Sequence, residues 1–196
     1  MMQNRGRLFA IAALGALACG GVTEPARHSV VVTVNPTAIA TGEDYGPQDG
    51  VFDAFTTANL GSVNNNGFTS FRTAVEYTLP LLPSDAIVDS VALKLAIGAW
   101  EGPRSLQVHG YDGDGTVQLT DFALNELVAT ATLAPVGYQN LSLDVTDFLA
   151  AHVARAGAVV GFNIREEPPN APNYTIMAIR VDPGPPALAI AYRTRH

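Results

Sequence analysis

This 196-residue sequence has one cysteine, one lysine and one tryptophan, and charged residues make up only 15% of it. The lone Cys19 excludes an internal disulfide framework and any multi-cysteine zinc site. Lys94 is the only lysine, and 18 acids face 11 bases. Clustered Lys/Arg, which phosphate neutralisation requires, is therefore missing, and no nucleic-acid partner is expected. Signatures of catalysis are missing too. There is no Gly-x-Ser-x-Gly elbow and no His-Glu-x-x-His or Gly-rich phosphate loop. His28, His109, His152 and His196 are scattered without metal-ligand spacing. A carboxylate pair for glycoside hydrolysis could be picked from 18 acids by choice alone, so it carries no weight. The chain is expected not to be an enzyme. What it does have is 47% hydrophobic residues, 18 Gly and 13 Pro, enough to fill a core and punctuate it with turns.

The N-terminus reads as an export signal. Met1 to Arg7 holds Arg5 and Arg7 and no acid, and Leu8 to Ala18 is an unbroken run of apolar residues and Gly. A basic start, a short apolar stretch and small residues at its end describe a secretory signal. The run is too short to span a bilayer, which takes about 20 apolar residues. The only cysteine stands at its end, in Gly15-Ala16-Leu17-Ala18-Cys19-Gly20. This resembles the lipobox of bacterial lipoproteins, whose cysteine becomes the acylated first residue. Ala16 stands where that pattern prefers Leu. An acylated Cys19 would anchor the protein to a membrane without spanning it. By the same resemblance, Gly20 after the cysteine implies the outer membrane or cell surface. Residues 1–18 are then the signal and 19–28 a linker.

Residues 29–196 are expected to form one β-domain. Apolar residues alternate with polar or small ones in Phe71–Leu79, Ile87–Ile97, Leu106–His109, Leu141–Val145 and Val160–Arg165. Ser29–Val34, Ile176–Val181 and Ala187–Tyr192 are further strand-like runs. Period-two patterning gives each strand one buried and one wet face. Turn residues separate the runs at Leu82-Pro83-Ser84-Asp85, Gly102-Pro103, Gly113-Asp114-Gly115, Pro168-Pro169-Asn170 and Pro183-Gly184-Pro185-Pro186. The fold class is all-β, an antiparallel β-sandwich or jelly roll. One short helix is expected from Thr146, which can cap it, through Phe148, Leu149, His152 and Val153 to a stop at Gly157. A helical turn near Thr120-Asp121-Phe122 is a weaker signal.

Four stretches carry a family resemblance. Phe71-Arg72-Thr73-Ala74-Val75-Glu76-Tyr77-Thr78-Leu79-Pro80, with Leu82-Pro83 and Ile87-Val88-Asp89-Ser90-Val91-Ala92-Leu93-Lys94-Leu95, resembles the opening hairpin of DNRLRE-type carbohydrate-binding modules. Leu143-Asp144-Val145-Thr146-Asp147-Phe148-Leu149 is similar to their strand-to-helix junction. Val160–Arg165 and Pro186–Tyr192 also fit. The resemblance implies a galactose-binding-like jelly roll on a secreted or surface protein, with a polysaccharide or cell-surface glycan as its ligand.

Candidate sites follow from loop chemistry. Glu43, Asp44, Asp49 and Asp53 lie close together among Gly42, Gly46, Pro47 and Gly50 without a base. Loop carboxylates of this kind suit a structural Ca²⁺, although a solvated acidic loop is the commoner meaning of such a run. Asp112-Gly113-Asp114-Gly115 lacks the later acids of a calcium loop and reads as a turn. Sugar recognition uses flat aromatic faces for C–H groups, which points to Trp100, Tyr111, Tyr174 and Tyr45. His109 is expected at the surface beside Gln107. Arg72 and Arg165 project from strand faces, where pairing with glutamates competes with a ligand role. The expected function is a non-catalytic, surface-anchored carbohydrate-binding lipoprotein. The alternative is a structural or adhesive envelope protein with a protein partner.

Overall fold

The computed structural model of the protein describes residues 29–45, 54–56, 59–64, 68–99, 104–123, 126–134, 137–154, 158–166, 175–179 and 186–194. Its strands are β1 (Val30–Val34), β2 (Ala38–Tyr45), β3 (Ala54–Thr56), β4 (Asn59–Asn64), β5 (Phe68–Thr78), β6 (Ala86–Ala99), β7 (Arg104–Asp112), β8 (Glu126–Leu133), β9 (Gly137–Asp144), β10 (Val159–Glu166), β11 (Thr175–Ile179) and β12 (Ala187–Thr194). A 3-10 turn, Leu119–Ala123, falls where the weak helical signal lay, and α1 spans Thr146–Ala154.

All described pairings are antiparallel, and the strands form the two sheets of a sandwich without closing into a barrel. Alternation decides what each layer buries. Val75 and Tyr77 of β5, Phe162 and Ile164 of β10, and Leu106 and Val108 of β7 turn the same way and are fully buried. Val91, Leu93, Leu95 and Ile97 of β6, Leu143 of β9, and Leu188 and Ile190 of β12 complete a single core cluster with them. Each side chain fully buried in this way contributes about 1.5–3 kcal/mol of hydrophobic stabilisation. The hydrogen-bonded path β1-β12-β6-β11-β4-β5-β10-β7-β8 is continuous, with β2 beside β5 and β9 beside β6. Strands β4 and β11 carry it from one layer to the other.

The helix closes one side of this core, but its start is built differently from the expectation. Asp144, not Thr146, supplies the capping oxygen, which accepts the Thr146 N–H at 2.9 Å. Thr146 is already helical, since the first turn closes through Leu149 N–H to the Val145 carbonyl at 3.1 Å. Its hydroxyl donates to the same Asp144 oxygen and accepts the Val91 N–H at 2.9 Å, fastening α1 to β6. The short Asp side chain reaches the amide two residues on, which the threonine at the first helical position cannot do. Phe148 packs edge-on against Phe162, with ring centroids 5.7 Å apart. Gly110 lets it in, because a Cβ at that position would overlap the Phe148 ring. His152 is buried, with Nδ1 2.7 Å from the Asp112 carboxylate.

Two further expectations change. Ala38–Tyr45 is strand β2, paired to β5 from Ala38↔Glu76 to Tyr45↔Thr69, where an acidic loop was expected from Gly42 onward. Partnership on β5 overrides the local loop preference of Gly, Glu and Asp. His109, expected at the surface, is 3% exposed. Its ring lies on the outer face of β7, but the segment after β7 folds back over that face.

Candidate functional site

The outer face of the β2-β5-β10-β7 layer collects the polar side chains that alternate with the core. In register across it stand Arg72, Ala74 and Glu76 of β5, Arg165, Asn163 and Gly161 of β10, and Gln107, His109 and Tyr111 of β7. Residues 113–123 run over this face as a strap. Phe122 at its end is fully buried in a small cluster with Ala74, flanked by Ala40 and Val117. The Phe122 carbonyl accepts Arg72 Nη1 and Asn163 Nδ2, each at 2.8 Å. At the strap's start, Gly115 holds a left-handed φ of 97° and donates its N–H to Glu76 at 2.7 Å. Between these anchors Asp114 accepts from Thr116 N–H and Gln118, and Asp121 accepts from Gln118 N–H.

Burial sets the electrostatics under the strap. Glu76 is 1% exposed, and its carboxyl is pushed above the usual range by desolvation. The Gly115 N–H opposes that shift, while the Asp121 and Asp114 charges add to it. Asp121 is likewise raised, chiefly by burial. Tyr111 is pushed up by burial and by the facing Glu76 carboxylate. This layer clamps the strap to the sheet, with the Glu76 carboxyl buried beneath it.

The described residues include only some of those singled out from the sequence. Tyr111 is 5% exposed, with its ring lying over Gly161, so it offers no open face to a sugar. Tyr45 is the last residue of β2. Trp100, Tyr174 and Cys19 lie outside the described residues, as do Asp49 and Asp53. Glu43 and Asp44 are consecutive residues of a strand rather than of a loop, and both are buried. Neighbouring strand side chains leave on opposite faces, so Glu43 and Asp44 point apart. Desolvation raises the Glu43 carboxyl. Among the described residues, no group of three or more His, Cys, Asp or Glu is placed to hold a metal ion.

An accessible site lies elsewhere, at the junction of β9 and α1. A groove of about 430 Å³ is lined by Glu126, Leu127 and Val128 of β8 and by Asp144 to Phe148 with Ala151. Its volume falls within the range of small-molecule sites. Three carboxylates, Glu126, Asp144 and Asp147, are exposed around it, and Leu127 offers an apolar surface that is 53% exposed. Asp144 is held below the usual carboxylate range by the Thr146 hydroxyl and amide, so it presents a charged acceptor. The arrangement supplies hydrogen-bond acceptors at a rim and an aliphatic floor. Sequence reasoning had marked Asp144 to Asp147 only as a strand-to-helix junction. Strand β8 itself went unread, because its Ala/Thr alternation is a weak apolar signal.

Compared with models of protein families the chain matches none, and no curated protein matches it.

Proposed function

We propose that the protein is a non-catalytic carbohydrate-binding β-sandwich, exported and held at the outer membrane or cell surface by an acylated Cys19. The observation that carries the binding half is the β9–α1 groove, with exposed Glu126, Asp144 and Asp147 around aliphatic Leu127 and Val128. A sugar ring has an apolar C–H face and a rim of hydroxyl donors. Carboxylates take charge-assisted hydrogen bonds from such hydroxyls, and the aliphatic floor takes the C–H face. Support for the anchor comes from the sequence of Leu8 to Gly20.

Pull-down of the exported, detergent-extracted protein on insoluble polysaccharides tests the binding half. At least one polysaccharide is expected to retain the wild type. Asp147→Asn with Glu126→Gln is expected to weaken retention about tenfold or more, since a hydrogen bond to a charged group contributes ~1.5–3 kcal/mol. Trp100→Ala probes the aromatic candidate separately. Retention by no polysaccharide overturns the reading.

The second reading, an envelope protein with a protein partner, draws on β8. That strand ends the hydrogen-bonded path, and Leu127 is exposed upon it. An outer strand edge is a template for pairing with another chain.

A further inference from the structure

A second groove, of about 450 Å³, opens at the end of the sandwich where β5 turns into β6. Leu79, Leu82 and Pro83 of the turn, Val88 of β6, Leu149 and Val153 of α1 and Ile190 of β12 line it. The turn is braced at both ends, by Leu79 N–H to the Ala158 carbonyl and Ala86 N–H to the Pro83 carbonyl, each at 2.9 Å. At its tip Leu81 is fully exposed, and Val153 is 39% exposed. Soluble surfaces scatter single apolar residues, whereas a contiguous patch marks an interaction site.

The same end is where the chain enters the fold. Strand β1 begins at Val30, opposite Tyr192, which is itself opposite Val88 on the groove wall. Val30 and Val31 are 45% and 64% exposed. Four of the seven exposed large hydrophobic residues among the described ones, Val30, Val31, Leu81 and Val153, therefore sit at this end. Cys19 precedes Val30 by eleven residues. Even fully extended, a segment of that length reaches no more than ~40 Å.

We infer that this groove and the Leu81 turn dock on the bilayer that holds the Cys19 lipid. The inference rests on the anchor reading above. A short tether leaving from the apolar end keeps that end nearest the membrane and raises the local concentration of acyl chains before it. Leu81 enters the acyl boundary as a wedge, and the aliphatic groove behind it takes a lipid chain. Beside it Arg193 pairs with Asp89 at 2.9 Å, and the pair is internally neutral. The groove lining itself is aliphatic, so docking draws on burial of apolar surface.

The acylated protein provides its own control, because Cys19 is the sole cysteine. Acylation blocks its thiol, so Leu81→Cys carries the one free thiol for an environment-sensitive fluorophore, and Ser105→Cys carries it at the start of β7, at the far end of that strand. In phosphatidylcholine vesicles, the label at 81 is expected to shift to the blue and be quenched by lipid brominated in the acyl chains, while the label at 105 stays unquenched. With Val153→Asp added, the docked-to-undocked ratio is expected to fall about tenfold. Equal quenching at 81 and 105, or none at 81, overturns the docking surface. Failure of the anchor is distinguishable, since the wild type would then take up one label and Leu81→Cys two.

Discussion

Truncating Phe122 to alanine asks whether the strap over the outer sheet face belongs to the cooperative fold. The ring is fully buried, and it is separate from the main core. Its surroundings, Ala74, Ala40 and Val117, are short side chains that cannot swing in to fill the space. The backbone is held as well, because Arg72 and Asn163 both donate to the Phe122 carbonyl at 2.8 Å. The strap therefore cannot settle inward, and most of the cavity persists. Phe→Ala in a core costs about 3–5 kcal/mol depending on how far the site collapses, so the middle of that range, about 4 kcal/mol, is expected. For a domain of this size each kcal/mol moves Tm by ~2–4 °C, giving a fall of roughly 8–16 °C. Thermal unfolding followed by circular dichroism reads that fall, and hydrogen exchange at the Gly115 amide reads the strap locally. A Tm within about 2 °C of wild type, with exchange accelerated only at Gly115 and its neighbours, would refute the reasoning. The strap would then open on its own.

The remaining predictions concern the groups beside it. Glu76→Gln keeps an acceptor for the Gly115 N–H but removes a desolvated charge. The raised Glu76 carboxyl contributes stability that is present below its unfolded-state pKa and lost as pH rises through the folded value. Wild-type stability should thus decline relative to the variant as pH rises out of the acid range, and a pH-independent difference between them would count against a buried Glu76 charge. Gly161→Ala drives a Cβ into the Tyr111 ring and should destabilise by about 1–3 kcal/mol in urea unfolding. Pairing it with Tyr111→Leu should recover part of that loss, and strict additivity of the two changes would deny the contact. Because Glu43 and Asp44 diverge from one strand, melts in EDTA and in excess Ca²⁺ should share one midpoint. A rise of several degrees in Ca²⁺ would reinstate an ion there by mass action.

Much of the sandwich was legible from period-two patterning alone. In β5, β6, β7, β9 and β10 large apolar residues alternate with polar or small ones, and much of the core is built from those residues. Strand β2 was not legible, since its Ala-Thr-Gly-Glu-Asp run reads locally as a loop and becomes a strand only through its pairing with β5. The burial of Glu76, His109 and Tyr111 was hidden for a related reason. Alternation correctly sends them to the outer face, but it cannot reveal that residues 113–123 return to cover that face. Asp144 and Thr146 exchanged roles because a capping oxygen depends on which residue first turns helical, a matter of one position. The β9–α1 groove needed both β8 and α1 to be placed before its three carboxylates could be seen to share a rim.

The most direct test of carbohydrate binding is a glycan array probed with the exported protein beside its Asp147→Asn, Glu126→Gln variant. The account predicts a defined set of glycans bound by the wild type and a signal lost across that set in the variant, with both proteins melting alike. Binding to no glycan, or an unchanged profile in the variant, would contradict it.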